Sequence, residues 1–216
     1  THKAKHAVNA TIDIVNEYDG KITYIALGRL TNLALALSLD PALVDLISEV
    51  VVMGGAIHQP GNATPVASAN LYGDVMAAAV VYASGLNIAQ IGLDVCNKVE
   101  ISVLEQEKIW NLGSPVSNFL KKITPFIQSA YGKIGQAKEG AVRYNDMPAV
   151  GYAIDDSLFT CERLKIVIET EGKYTRGQTV DGSRRNFMDD ANSVNVALEV
   201  DDVNLKKLWF KTISTY

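Results

Sequence analysis

The run from Val50 to Asn70, VVVMGGAIHQPGNATPVASAN, constrains the fold of this chain more than any other stretch. Three successive valines, Val50 to Val52, read as a strand buried on both faces, because a strand with one wet face would alternate apolar and polar residues. Met53-Gly54-Gly55 breaks that strand, and a loop of small side chains follows that carries the amides of Asn62 and Asn70. A buried strand running into a Gly-Gly turn and a polar loop is how open α/β sheets build ligand sites, at the carboxyl ends of their strands. Glycine lets backbone approach a ligand closely, and asparagine offers both donors and acceptors to hydroxyl groups.

The flanking sequence supports an α/β reading. Ala4, Val8, Ile12 and Val15 stripe one face of a helix over residues 3–18, and Asp19-Gly20 ends it. Ile22 to Leu27 reads as a short buried strand. Thr31 or Asn32 is placed to cap the helix that runs to Leu39, and Asp40-Pro41 restarts a second one. Asp74 is an N-cap candidate for a helix over 75–84, closed by Gly85, and Asn87 to Leu93 is a further apolar strand. Strands alternating with helices argue for βαβ units and a parallel sheet. Residues 101–132 read as helical with a break at Gly113-Ser114-Pro115, and Asp146 to Ile154 as a short helix with proline in its first turn. Leu164–Glu169 and Val194–Val200 have strand composition; the polar stretch 172–192 between them reads as a hairpin or a long loop. No repeat or linker divides the chain, so residues 1–216 are expected to form one open, mostly parallel twisted sheet flanked by helices, a Rossmann-like α/β unit.

Composition removes several function classes. A chain of 216 residues buries roughly 70% of its unfolded surface, enough for a large core. The net charge of −4 comes without a basic stripe, so nucleic acid is a poor partner; Arg184-Arg185 reads as a solvated loop pair. No run approaches the ~18 apolar residues of a membrane span. Thr1 to His6 lacks a signal-peptide pattern, and Cys96 and Cys161 read as buried thiols rather than a disulfide framework. These features give a soluble cytoplasmic protein as the expectation. Gly54-Gly55 has no third glycine and no helix directly behind it, which argues against a phosphate cradle; His-Glu-x-x-His and Cys-x-x-Cys are absent, which argues against zinc. His2 and His6 read as exposed helix residues. His58, in the informative loop, is either a ligand contact or a solvated side chain.

Several separated segments together resemble one family: ITYIALGRLTNLALAL (22–37), VVVMGGAIHQPGNATPVASAN (50–70), SGLNIAQIGLDV (84–95), YNDMPAVGYAI (144–154), and the stretch from RGQTVD (176–181) to NVALEVD (195–201). Their order and spacing resemble the inosine–uridine-preferring nucleoside hydrolases, which cleave the N-glycosidic bond of ribonucleosides. The resemblance implies a ribonucleoside or ribose as ligand and calcium as cofactor, the ion gripping ribose hydroxyls and positioning the attacking water. It implies that the Leu27 carbonyl and the Asp146 carboxylate are calcium ligands, and that Met53, Asn62, Ser68 and Asn70 occupy the ribose subsite. Such a site suits the chemistry, since departure of the base builds oxocarbenium character on the sugar.

The chain departs from the family's pattern in three places. The family's opening segment, of the form Asp-x-Asp-x-Gly-x-Asp-Asp, supplies two calcium ligands and the base that activates water; no such segment occurs in these 216 residues. Asp155-Asp156 and Asp189-Asp190 do not replace it, because neither follows a buried strand and glycine turn, and both read as surface acids. Where the family has Glu-Phe-Asn this chain has Ser68-Ala69-Asn70, losing a carboxylate and an aromatic wall. At the catalytic position where one branch has a histidine linked to leaving-group protonation stands Asn145, and an amide cannot deliver a proton. The expectation is a nucleoside hydrolase lineage whose isolated chain is inactive; the alternative is a ribosyl-binding or oligomer-forming remnant. A doubly wound sheet without its first strands would also expose a central strand edge, so a homo-oligomer or a covering partner is expected.

Overall fold

The computed structural model of the chain describes residues 5–18, 22–132, 140–183 and 191–215. Its elements in order are α1 (Ala7–Tyr18), β1 (Ile22–Ala26), α2 (Thr31–Leu39), α3 (Leu43–Leu46), β2 (Ile47–Met53), α4 (Ala69–Tyr72), α5 (Val75–Ala83), β3 (Ile88–Ile91), α6 (Leu93–Cys96), α7 (Val103–Trp110), α8 (Pro115–Gly132), α9 (Asp146–Ile154), β4 (Phe159–Ile168), β5 (Thr179–Asp181), β6 (Ser193–Val200) and α10 (Asp202–Ile213). The strands form one sheet in the order β1-β2-β3-β6-β4-β5. Its first four strands are parallel. β4 runs antiparallel to both β6 and β5.

The valine run does what its composition requires. Val50 and Val52 point into a core shared with Leu33 and Leu37 of α2 and Val75, Ala78 and Val81 of α5. Val51 and Met53 point the other way, into a second core with Ala89, Ile91, Val95, Met147 and Ala149. With apolar layers on both faces and a parallel neighbour on each side, β2 is the buried centre of this end of the sheet. β1 lies at the sheet's end and pairs with β2 alone among the described residues.

Some elements differ from their sequence reading. The strand expected over Asn87–Leu93 is shorter, since Gly92 and Leu93 turn the chain into α6. β4 begins well before Leu164, at Phe159. The segment after Gly172 contributes β5, which pairs with Ile166–Ile168. Thr31 and Asn32 do not cap α2: Leu30 holds the N-cap position with no side-chain bond, and the Thr31 hydroxyl instead donates to Asp74 Oδ2 at 2.5 Å. Asp74 does cap α5, accepting from Ala77 N at 3.1 Å. α9 spans the expected Asp146–Ile154. Cys96 is buried, whereas Cys161 is only half-buried. Asp19-Gly20, Arg184-Arg185, Asp189-Asp190 and residues 1–4 lie outside the described residues.

Candidate functional site

The carboxyl ends of β1, β2 and β3 lie side by side, and the polar groups of the Val50–Asn70 loop gather there. Asn70, on the first turn of α4, donates its Nδ2 to the Leu27 carbonyl at 3.2 Å and to the Met53 carbonyl at 2.9 Å, with Met53 Sδ at 3.1 Å. One amide thus ties the end of β1 to the end of β2. Two carbonyl partners fix the amide's orientation, because only the NH₂ group can donate to both. Oδ1 is left pointing away from them with an acceptor's capacity. Asn62 is arranged in the opposite sense: its Oδ1 accepts from Ala69 N at 2.8 Å, satisfying an orphan amide at the start of α4 and leaving its NH₂ as the available group.

The Gly54-Gly55 turn is held from several directions. Gly55 has φ +86°, a left-handed conformation, and a Cβ there would stand 2.6 Å from the Gln90 side-chain amide. Its N–H donates to Ser68 Oγ at 2.7 Å, so the Ser68 hydroxyl is buried beneath the loop. Thr179 Oγ1 accepts from Ala56 N at 3.0 Å and donates to Ala56 O at 2.8 Å. The buried carboxylate of Asp94 accepts from Ile57 N at 2.9 Å and His58 N at 2.7 Å. The His58 ring itself is exposed. Asp94 and Thr179 are the residues that sequence reasoning missed. An acid directly after a buried strand was a signal for Asp94; nothing local marks Thr179, which lies far along the chain.

A second chain of contacts carries the site across to α9. The Ile91 carbonyl, at the end of β3, accepts from Gly54 N at 3.2 Å and from Cys96 Sγ at 3.8 Å. Cys96 Sγ also lies 3.3 Å from the Asn145 carbonyl, which seats the start of α9 against α6. Burial pushes the Cys96 thiol well up, so it remains protonated as a donor. Asp146, the first residue of α9, is exposed but lines an apolar groove with Met147, Val150 and Trp209; partial desolvation raises its carboxyl pKa. The sequence-derived residues therefore fall into two groups. Leu27, Met53, Asn62, Ser68 and Asn70 are joined by hydrogen bonds through the loop and α4, while Asn145 and Asp146 reach the same end of the sheet through Cys96.

A model of the inosine-uridine preferring nucleoside hydrolases matches residues 1–209. The chain belongs to this family. It is 36% identical over 177 residues to an inosine-uridine preferring nucleoside hydrolase of Leishmania major, covering 82% of this chain and 55% of that protein. It is 35% identical over 208 residues to the enzyme of the same description from Crithidia fasciculata, covering 95% of this chain and 63% of that protein. A solved plant nucleoside hydrolase superposes on all of this chain with a TM-score of 0.92 at 26% identity, over 70% of its own length. The chain thus spans somewhat under two thirds of these curated relatives, and it shares the mixed α/β architecture of the solved plant hydrolase.

Proposed function

We propose that this nucleoside hydrolase chain carries the ribose-binding part of a ribonucleoside N-ribohydrolase, whose reaction converts a ribonucleoside to ribose and free base. The observation that supports this most is the Asn70 amide, whose donor side is spent on the Leu27 and Met53 carbonyls. Its Oδ1 is thereby aimed to accept from a sugar hydroxyl, and the NH₂ of Asn62, a loop residue held against the start of α4, complements it as a donor. Hydroxyl contacts that tighten as the sugar flattens toward an oxocarbenium ion lower the barrier rather than only deepening binding. Met53 lines the floor, Ser68 braces the loop, and Asn145 stands at the leaving-group side, where an amide binds a base edge but delivers no proton.

Leu27 O and Asp146 supply two oxygens, and Leu27 O already accepts from Asn70. Calcium takes about six to eight oxygen ligands. Among the described residues no group of three or more His, Cys, Asp or Glu is placed to hold a metal. The described residues do not by themselves fit a calcium ion. This favours reading the 216-residue chain as inactive on its own, with ribosyl binding retained.

Two measurements on the purified chain test the reading. Calorimetric titration should find saturable binding of ribose or inosine that Asn70→Ala abolishes. Release of base from inosine or uridine should stay at background with or without calcium. Absent ribosyl binding would defeat the first part, and calcium-dependent turnover the second. We place the chain in a reducing cytoplasm, consistent with its free cysteines. No helix among the described residues is long and apolar enough to cross a membrane. Among the described residues β1 pairs with β2 alone, and a second copy or a partner is the proposed cover of its other side.

A further inference from the structure

Beside Asn70 stand two guanidinium groups that the family reading does not use. Arg29 follows Leu27 by two residues, in the loop that leaves β1. Its side chain lies across Gly73, three residues beyond Asn70 and therefore on the same side of the α4 turn. Gly73 has φ −64° and ψ −26°, a conformation open to any residue, so backbone freedom does not explain the glycine. Space does. A Cβ at position 73 would stand 2.3 Å from Arg29 Nε and 3.0 Å from Cδ. On the neighbouring residue, Arg176 lies over the Tyr72 ring at 5.9 Å from its centroid, brought there by Gly177, whose backbone packs against Tyr72.

Neither guanidinium has a hydrogen bond or ion pair from its side chain among the described residues. Asp74 feels both arginines, but its carboxylate is hydrogen-bonded elsewhere: Oδ2 by Thr31 Oγ1 at 2.5 Å and Oδ1 by Ala77 N at 3.1 Å. The result is two exposed cations, one over Tyr72 and one over Gly73, on the turn that begins with Ala69 and Asn70. Arginine forks match the oxygens of a phosphate, which accepts paired N–H donors from both.

We propose that Arg29 and Arg176 form an anion subsite beside Asn70, and that the ligand this chain prefers is a phosphate ester of ribose rather than a neutral ribosyl compound. The ribose half of this inference rests on the function proposed above; the anion half rests on the arginines alone.

The test is calorimetric titration of the whole chain in phosphate-free, low-salt buffer with ribose, ribose 5-phosphate and inorganic phosphate. Ribose 5-phosphate should bind about tenfold or more tightly than ribose. That gap should shrink with added salt. Arg29→Ala and Arg176→Ala should each narrow the gap and leave ribose affinity unchanged. Gly73→Ala should narrow it as well, although it keeps both charges, because it displaces only the Arg29 side chain; an unchanged melting temperature confirms the fold in each variant. Equal affinity for ribose and its phosphate, or a gap untouched by all three substitutions, overturns the subsite while leaving the ribosyl reading intact. Arginine-dependent binding of inorganic phosphate to which ribose adds nothing supports the subsite and overturns the ribosyl half. Binding of neither phosphate species at millimolar concentration overturns the subsite outright.

Discussion

At the scale of single residues, the site is built from groups whose partners are already assigned. Gly55 shows how little freedom remains: its left-handed φ and its contact with the Gln90 amide both exclude a side chain. Gly55→Ala should cost about 2 kcal/mol or more of unfolding free energy, read from urea titration. A variant as stable as the parent would mean that the loop relaxes without loss. Asp146 behaves differently, because desolvation raises its pKa in the folded chain. A raised carboxyl pKa means that the folded state holds its proton more tightly than the unfolded one. The contribution is therefore most favourable below the unfolded value of about 3.9 and is lost as pH rises through the folded pKa. Asp146→Asn should raise the melting temperature at pH 7, and its advantage should shrink as pH falls toward about 4. A destabilised variant at pH 7 would assign Asp146 a compensating partner.

At the scale of elements, one carboxylate fastens two helices. Asp74 caps α5 through Ala77 N and anchors the start of α2 through Thr31 Oγ1. Asp74→Ala should cost about 1 kcal/mol, the usual loss for an N-cap, with more if Thr31 finds no new partner. The Thr31 hydrogen bond, followed by that of Ala77 N, lowers the Asp74 pKa, so this stabilisation is present above the unfolded value and is lost as pH falls through the folded pKa. Parent and variant should therefore converge in stability at acid pH, as thermal melts across a pH series would reveal. Asp74 as an N-cap was readable from its place before an alanine- and valine-rich helix. Its bond to Thr31 was not, because local pattern assigns a threonine at a helix start to its own helix, whereas here α2 and α5 pack side by side.

At the scale of the whole molecule, β1 stands at one end of the six-stranded sheet. β1 has β2 as its single neighbour among the described residues, and its outward positions leave Ile25 37% exposed. Leu35 and Leu39 of α2 on one face of the sheet, and Val150 and Ile154 of α9 on the other, are also exposed. Parallel strands ordinarily lie inside a sheet with both faces covered, and a short β-branched edge without proline or lysine is a template for another strand. The chain should self-associate at micromolar concentration, and Ile25→Lys should shift it toward monomer in light scattering. A parent chain that is already monomeric would count against this edge as an interface.

The sequence by itself determined the fold class, the order of the central elements and the lineage. Those rest on local patterns: the unbroken valine run, the Gly-Gly turn, the Asp74 cap, and the ordered segments from Ile22 to Asp201. Tertiary structure alone decided what the loop's polar groups do. Asn62 and Asn70 were legible as amides, but which of their ends is spent depends on carbonyls at Leu27 and Met53 and an amide at Ala69, brought together by sheet register and a helical turn. Ser68 was legible as a hydroxyl beside Asn70, but its bond from the Gly55 N–H was not. Thr179 and Arg176 come from a segment more than a hundred residues beyond the Gly54-Gly55 turn, and no local periodicity encodes such meetings. Backbone conformation is chosen by neighbours in sequence, whereas the pairing of a donor with an acceptor is chosen by neighbours in space.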